Sequence, residues 1–188
     1  RKRIKPTVGI GLLRMRAVMN ERFVAIDVET ANADLASLCQ IGIVEFEGTV
    51  ESASWSTVLD PEDEFDAINI SIHGIDEHVV RNAPTLPKVA DRIRSDLSGC
   101  VVLSHMPFDR LALSRGLARY GLPPIECTWL DTARVARRVW PQFSRRGYGL
   151  ANVASWCGIE FQHHDALEDA RAAALIMLQA ANDTELSV

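Results

Sequence analysis

The chain has 188 residues, 47% of them hydrophobic, and a formal net charge of −5. That length and apolar fraction suit one ordinary globular domain and argue against a disordered or fibrous class. No run approaches the roughly 18 apolar residues that a membrane helix needs, so no membrane association and a cytoplasmic location are expected.

Residues 1–16 carry six cations and no acid, interrupted by a short apolar run at 8–13. The run is too short for a secretory core and lacks a small-residue cleavage site. Met19 directly precedes the first strand-like segment. The expectation is a poorly ordered basic extension over residues 1–18 and a single domain over 19–188.

Residues 21–29 read as a buried strand, because Phe23-Val24-Ala25-Ile26 is a short apolar run. Residues 40–47 and 51–59 flank Gly48, which predicts a hairpin ended by Pro61. A helix is expected over 86–97, stopped by Gly99, then a strand at 100–103. Pro107 suits the first turn of a helix reaching about Tyr120. A strand at 126–130 follows, with Asp131 able to cap a helix that ends before Pro141. A short helix is expected over 149–156. The clearest helix covers 166–181, with Leu167, Ala170, Ala174, Leu175 and Leu178 on one face. Strands followed by alternating helices and strands imply an α/β fold with a mixed sheet covered by helices.

The four cysteines, Cys39, Cys100, Cys127 and Cys157, form no Cys-x-x-Cys pair. They read as buried thiols in a reducing compartment. The acidic balance argues against broad nonspecific duplex binding, which rests on many phosphate contacts. Arg134, Arg137, Arg138, Arg145 and Arg146 nevertheless form a local basic patch. A solvated helix face and loop would leave the same pattern.

Three acidic signals carry chemistry. Asp27-Val28-Glu29 places two carboxylates on one face of a strand, since side chains two apart share a face. Burying paired negative charge is costly without a cation. Asp109 falls in the first turn of a helix just beyond a strand's carboxyl end, where α/β proteins tend to place ligands. Helix-dipole stabilisation alone would also explain it. The run His163-His164-Asp165-Ala166-Leu167-Glu168-Asp169 is the third. Asp165 suits an N-cap and Glu168 a capping box, but capping leaves Asp169 unexplained. Carboxylates gathered at one sheet edge call for hard divalent cations, which prefer oxygen ligands. A pair of such ions about 3.5–4 Å apart can clamp a phosphodiester. A histidine titrating near neutrality can take a proton from the attacking water.

Across residues 21–178 the chain resembles the DEDDh 3′–5′ exonuclease family, of the type seen in the proofreading epsilon subunit of bacterial DNA polymerase III. Asp27-Val28-Glu29-Thr30 resembles the family's first motif, Phe108-Asp109 its second, and His164 to Asp169 its third. Ile72-His73-Gly74-Ile75, Leu130-Asp131-Thr132 and Tyr148-Gly149-Leu150 also occupy the expected places.

The resemblance implies a ribonuclease-H-like fold with a five-stranded mixed sheet. It implies two Mg²⁺ or Mn²⁺ ions held by Asp27, Glu29, Asp109 and Asp169, with His164 as general base. Thr30, Ile72, His73 and Phe108 would line the pocket for the 3′-terminal nucleotide. The implied partners are a single-stranded 3′ end of DNA or RNA and a polymerase subunit or repair complex. One departure is that His105 lies a residue closer to Asp109 than the family pattern has it. His163 competes with His164 as base, but the spacing to Asp169 favours His164.

Three readings stay open beside the DNA exonuclease. They are RNA 3′-end trimming on the same fold, a noncatalytic nucleic-acid or polymerase-binding module, and a metal-dependent endonuclease or recombinase.

Overall fold

The computed structural model describes residues 22–184, so the expected basic extension over 1–18 and the domain start at Met19 lie outside the described residues. Five strands form one sheet in the order β3-β2-β1-β4-β5. They are β1 (Arg22–Thr30), β2 (Leu38–Glu47), β3 (Val50–Val58), β4 (Val101–Ser104) and β5 (Thr128–Asp131). β1, β2 and β3 run antiparallel, whereas β4 and β5 run parallel to β1. The sheet is therefore mixed, as expected. The helices are α1 (Ala67–His73), α2 (Leu86–Leu97), α3 (Phe108–Arg119), α4 (Thr132–Val139), α5 (Leu150–Cys157) and α6 (Ala166–Asp183).

Strand alternation divides the core. Phe23 and Ala25 of β1 face a cluster built with α4, α5 and α6, where Phe23 stacks on Phe46 at 5.1 Å. Val24, Ile26 and Val28 face the opposite cluster, built with α2 and α3. Both faces are thus covered, which is why β1 is nearly all apolar until its carboxyl end. Continuing the same alternation, Asp27 and Glu29 emerge on the α6 side.

α6 lies against β1 and β2 at close range, and Gly42 makes that possible. Gly42 pairs with Asp27 across the β1–β2 ladder. A Cβ there would sit 2.3 Å from both the Ala166 carbonyl carbon and the Leu167 amide nitrogen. The first turn of α6 is also tied to β2 by the Ala166 N–H, which donates to Gln40 Oε1 at 3.2 Å.

Four expectations need correction. Asp165 does cap α6, accepting from the Leu167 and Glu168 amides. Glu168 closes no capping box, because its carboxylate is taken by Arg171 one turn on. The buried face of α6 is built mainly from alanines with Ile176 and Met177, while Leu167, Leu175 and Leu178 are only partly buried. Of the cysteines only Cys39 is fully buried; the other three are half-buried, and all four are free. α1 was not expected at all.

Candidate active site

The carboxyl ends of β1, β4 and β5 lie at one sheet edge, and a cleft of about 460 Å³ opens there. Asp27, Glu29 and Asp169 sit in its wall. One carboxylate oxygen from each lies within 4.8 Å of the other two. Asp169 is brought there by the first turn of α6, whose approach Gly42 permits.

Asp109 joins this group from the other face of the sheet. β4 pairs with β1 only as far as Ala25, so the Val28 N–H lies beyond the ladder. The chain turns through Pro107 into α3, and Asp109 Oδ1 accepts that N–H at 3.1 Å. Asp109 is buried and lies against Asp27, but it is outside the trio whose oxygens converge.

The electrostatics follow from this crowding. Burial, then the charges of Asp109, Asp169 and Glu29, hold the Asp27 carboxyl well above the usual carboxylate range. Burial and the neighbouring Asp169 and Asp109 push Glu29 up to about 8. Burial pushes Asp109 up to about 7 against the opposing pull of the Val28 N–H. Burial also raises Asp169, opposed chiefly by His163. Among the described residues no lysine or arginine pairs with any of the four. An all-oxygen donor set with unbalanced negative charge fits hard divalent cations.

Both candidate histidines reach the cleft. Their rings stack at 3.8 Å. His163 Nδ1 bonds Asp169 Oδ2 at 2.9 Å, so its proton is held by that carboxylate. His164 Nδ1 stands 3.8 Å from Glu29 Oε1, too far for a hydrogen bond. Burial and the charges of His163 and His73 lower the His164 pKa, which favours the neutral ring. Among the described residues its ring has no hydrogen-bonded partner, which leaves a ring nitrogen open to a proton. Its backbone is in the left-handed region (φ 66°), and its N–H donates to Asp169 Oδ2 at 3.3 Å.

The expected nucleotide-pocket residues divide in two. Ile72 and Phe108 are 46% and 40% exposed and stand on the cleft wall, which rules out core packing as their role. Thr30 and His73 also line the cleft, and they are tied to each other. His73 Nε2 bonds the Thr30 carbonyl at 3.2 Å, and His73 Nδ1 accepts the Ile75 N–H at 3.0 Å. With Nδ1 accepting, Nε2 must carry the proton. The Thr30 hydroxyl is turned to the Asn32 carbonyl.

Three contributors were missed in the sequence. Asn69 donates to the Thr30 carbonyl at 2.8 Å and so fastens α1 to β1. Met106, exposed and at φ 79°, joins Phe108 in the wall and is held by Asp131, which accepts its N–H at 3.0 Å. His105 is nearly buried between Thr132 Oγ1 at 2.8 Å and the Tyr148 carbonyl at 2.7 Å. It pins the Tyr148-Gly149-Leu150 segment to the cleft. The unusual spacing gave a hint of its singularity, but its partners lie 27 and 43 residues away.

The exonuclease family model matches residues 24–177, which spans both β1 carboxylates and Asp169. The chain belongs to this family. Among curated relatives, the chain is 26% identical over 167 residues to the PolC-type DNA polymerase III of Caldanaerobacter subterraneus subsp. tengcongensis. It is 29% identical over 164 residues to the 3′–5′ exonuclease DinG of Bacillus subtilis. Those matches cover 87% and 85% of this chain but 12% and 17% of the relatives. The chain therefore corresponds to a small part of each.

Among solved structures, exonuclease X in complex with 5′ overhanging duplex DNA superposes with a TM-score of 0.68 at 21% identity. That match covers 88% of this chain and 94% of the other. A 3′-exonuclease with a histone mRNA stem-loop gives 0.74 at 16% identity, covering 87% and 83%. The zinc-bound Escherichia coli ExoI complex with single-stranded DNA gives 0.76 at 18% identity, covering 89% and 42%. The fold of this exonuclease domain is ribonuclease-H-like. Among the described residues no helix is long and apolar enough to cross a membrane.

Proposed function

We propose that this chain is a 3′–5′ exonuclease domain, over residues 19–188, that hydrolyses the terminal phosphodiester of single-stranded DNA with two divalent cations, Mg²⁺ or Mn²⁺. One observation carries the reading. Asp27, Glu29 and Asp169 turn oxygens toward one another within 4.8 Å, and among the described residues no lysine or arginine is paired to them. Asp109, tethered to the Val28 amide, completes the set of four ligands. Bound there, the cations would lower the pKa of water and offset charge developing on the phosphate.

The chain's own residues supply the rest. His164 takes the proton of the attacking water at a ring nitrogen, since its lowered pKa leaves it neutral near pH 7. His163 holds Asp169 in place. Phe108 and Ile72, both exposed on the cleft wall, offer apolar surface to the terminal base. Thr30 and His73 fix the wall behind them. The product is a nucleoside 5′-monophosphate, and attack proceeds from the 3′ end.

DNA is the preferred substrate, supported by the names of the polymerase III and DinG relatives. The name of the polymerase III relative also supports an association with a polymerase or repair assembly. RNA trimming is the second reading, favoured by the likeness to a 3′-exonuclease that recognises an mRNA stem-loop. The test is digestion of end-labelled single-stranded DNA, duplex DNA and RNA, with Mg²⁺, Mn²⁺ or chelator. Metal-dependent release of 5′-monophosphates is expected, fastest from single-stranded DNA. Inertness on all three substrates with metal present refutes the enzyme reading.

A further inference from the structure

The chain is acidic overall, yet residues 132–159 contain five arginines and no acid. All five, Arg134, Arg137, Arg138, Arg145 and Arg146, are exposed. Several arginines elsewhere are consumed internally: Arg22 pairs with Glu45, Arg92 with Asp96, Arg119 with Asp63, and Arg171 with Glu51 and Glu168. Among the described residues none of the five pairs with a carboxylate.

This surface is continuous with the cleft. β5 runs parallel to β4 and β4 to β1, so α4 begins at the sheet edge where Asp27 and Glu29 stand. Its buried side carries Thr132, Ala133, Val135 and Ala136, which turns Arg134, Arg137 and Arg138 to solvent. The Arg137 guanidinium lies 4.6 Å from the Tyr148 ring centre, and its Nε donates to the Ser144 carbonyl at 3.3 Å. These contacts fold the loop that carries Arg145 and Arg146 back beside α4. The loop's far end is fixed at the cleft, because the Tyr148 carbonyl accepts from His105 and Leu150 lines the cavity.

We infer that these arginines form a track for the phosphates of the strand upstream of the scissile bond. The occupant is the sugar–phosphate backbone of the same nucleic-acid chain whose 3′ end enters the cleft. The inference rests on the exonuclease reading for the direction of the strand. Its chemistry is that of guanidinium forks meeting phosphate oxygens, which arginine matches in geometry and charge. The track also resolves a conflict within the protein. Four carboxylates repel an incoming polyanion, and a cationic lip beside them supplies the attraction needed to bring it in.

The test uses the full 188-residue chain and a 5′-fluorescein-labelled oligothymidylate. Binding is read by fluorescence anisotropy in chelator, over a series of salt concentrations. The double variant Arg145→Ala/Arg146→Ala is expected to raise Kd about tenfold and to reduce the log–log salt slope by about 1.4, from two lost contacts to a single strand. Arg145→Lys/Arg146→Lys is expected to restore most of the slope. Unchanged Kd and slope in the alanine variant overturn the track, as does a wild-type protein that binds no oligonucleotide at any salt concentration.

A second arm separates this inference from the reading it rests on. The p-nitrophenyl ester of thymidine 5′-monophosphate has no upstream strand, so with Mn²⁺ the alanine variant should hydrolyse it at the wild-type rate. A parallel loss on this small ester overturns the track, because the arginines would then act within the site itself. A wild-type chain that binds the oligonucleotide through the arginines but leaves the ester and labelled DNA intact refutes the exonuclease reading alone.

Discussion

Gly42→Ala tests how the active site is assembled. The substitution adds one methyl group at the point where β2 meets the first turn of α6. That Cβ would lie 2.3 Å from the Ala166 carbonyl carbon and Leu167 nitrogen, where ordinary contact begins at 3.4 Å. The obstacle is backbone, so no rotamer change relieves it, and α6 must retreat by about 1 Å. Overpacking of this kind costs about 1–3 kcal/mol. Alanine's better fit to a strand interior returns about 0.5–1 kcal/mol of that. A domain of this size loses roughly 2–4 °C per kcal/mol, so a fall in Tm of up to about 10 °C is expected. The effect on catalysis should be larger, because α6 carries Asp169 and the turn before it carries His163 and His164. A displacement of about 1 Å in a reacting constellation costs about 10²-fold in rate. The assay is kcat on 3′-labelled DNA at saturating metal, beside a thermal melt in chelator. Gly42→Ala with wild-type kcat would refute the claim that this close approach sets the metal-ligand geometry.

The other predictions concern the charges and the base. Asp27→Asn should reduce kcat at least about 10³-fold while raising the chelated Tm, since it removes a buried carboxylate that repels its neighbours; a lower Tm would count against the repulsion argument. His164→Ala should lower kcat about 10²–10⁴-fold with little change in metal affinity. His163→Ala should act mainly through weaker metal binding, read by calorimetric titration with Mn²⁺. If His163→Ala carries the larger loss in kcat at saturating metal, the two roles are reversed. Stability should also depend on pH in a particular sense. Glu29 and Asp109 titrate at about 8 and about 7 in the folded chain, above their unfolded values. The folded state therefore holds protons that the unfolded chain releases. That stabilisation is complete below about pH 4 and is lost as the pH rises through 7 and 8. His73, His105 and His164 are shifted the other way, so their contribution is lost only as the pH falls below about 6.5. The chelated Tm should fall between pH 6.5 and pH 8.5, and Mg²⁺ should raise it most at the alkaline end; a flat profile refutes this.

The parts of the molecule that were legible in sequence are those with local causes. α2 and α3 declare themselves through flanking proline and glycine, α6 through apolar spacing behind the Asp165 cap, and β1 through its apolar run. The Asp27 and Glu29 pairing on one face follows from strand geometry alone. α1 was not legible, because Ile68, Ile70 and Ile72 alternate as in a strand and none is buried. That helix is held by a left-handed Gly74 and by the grip of Asn69 and His73 on the Thr30 carbonyl. The capping box at Glu168 failed for a similar reason, since Arg171 offered its carboxylate a stronger, charged partner. His105 and His163 show the same limit from the functional side. Their roles come from partners fixed by tertiary structure, and spacing along the chain does not encode them.

The order of residues around the cleft has a consequence for how the enzyme comes into being. Asp27 and Glu29 leave the ribosome before the other two carboxylates, whereas Asp169 and His164 belong to the last of the described helices and its approach turn. α6 packs across β1 and β2, so these strands must wait for more than a hundred residues before their covering helix exists. At about 5–20 residues per second that interval is several seconds or longer. Over the first part of it the nascent chain holds only Asp27 and Glu29, on an uncovered strand; Asp109 follows midway with α3, and Asp169 comes only with α6. The four carboxylates come together only when the last of the described helices is in place.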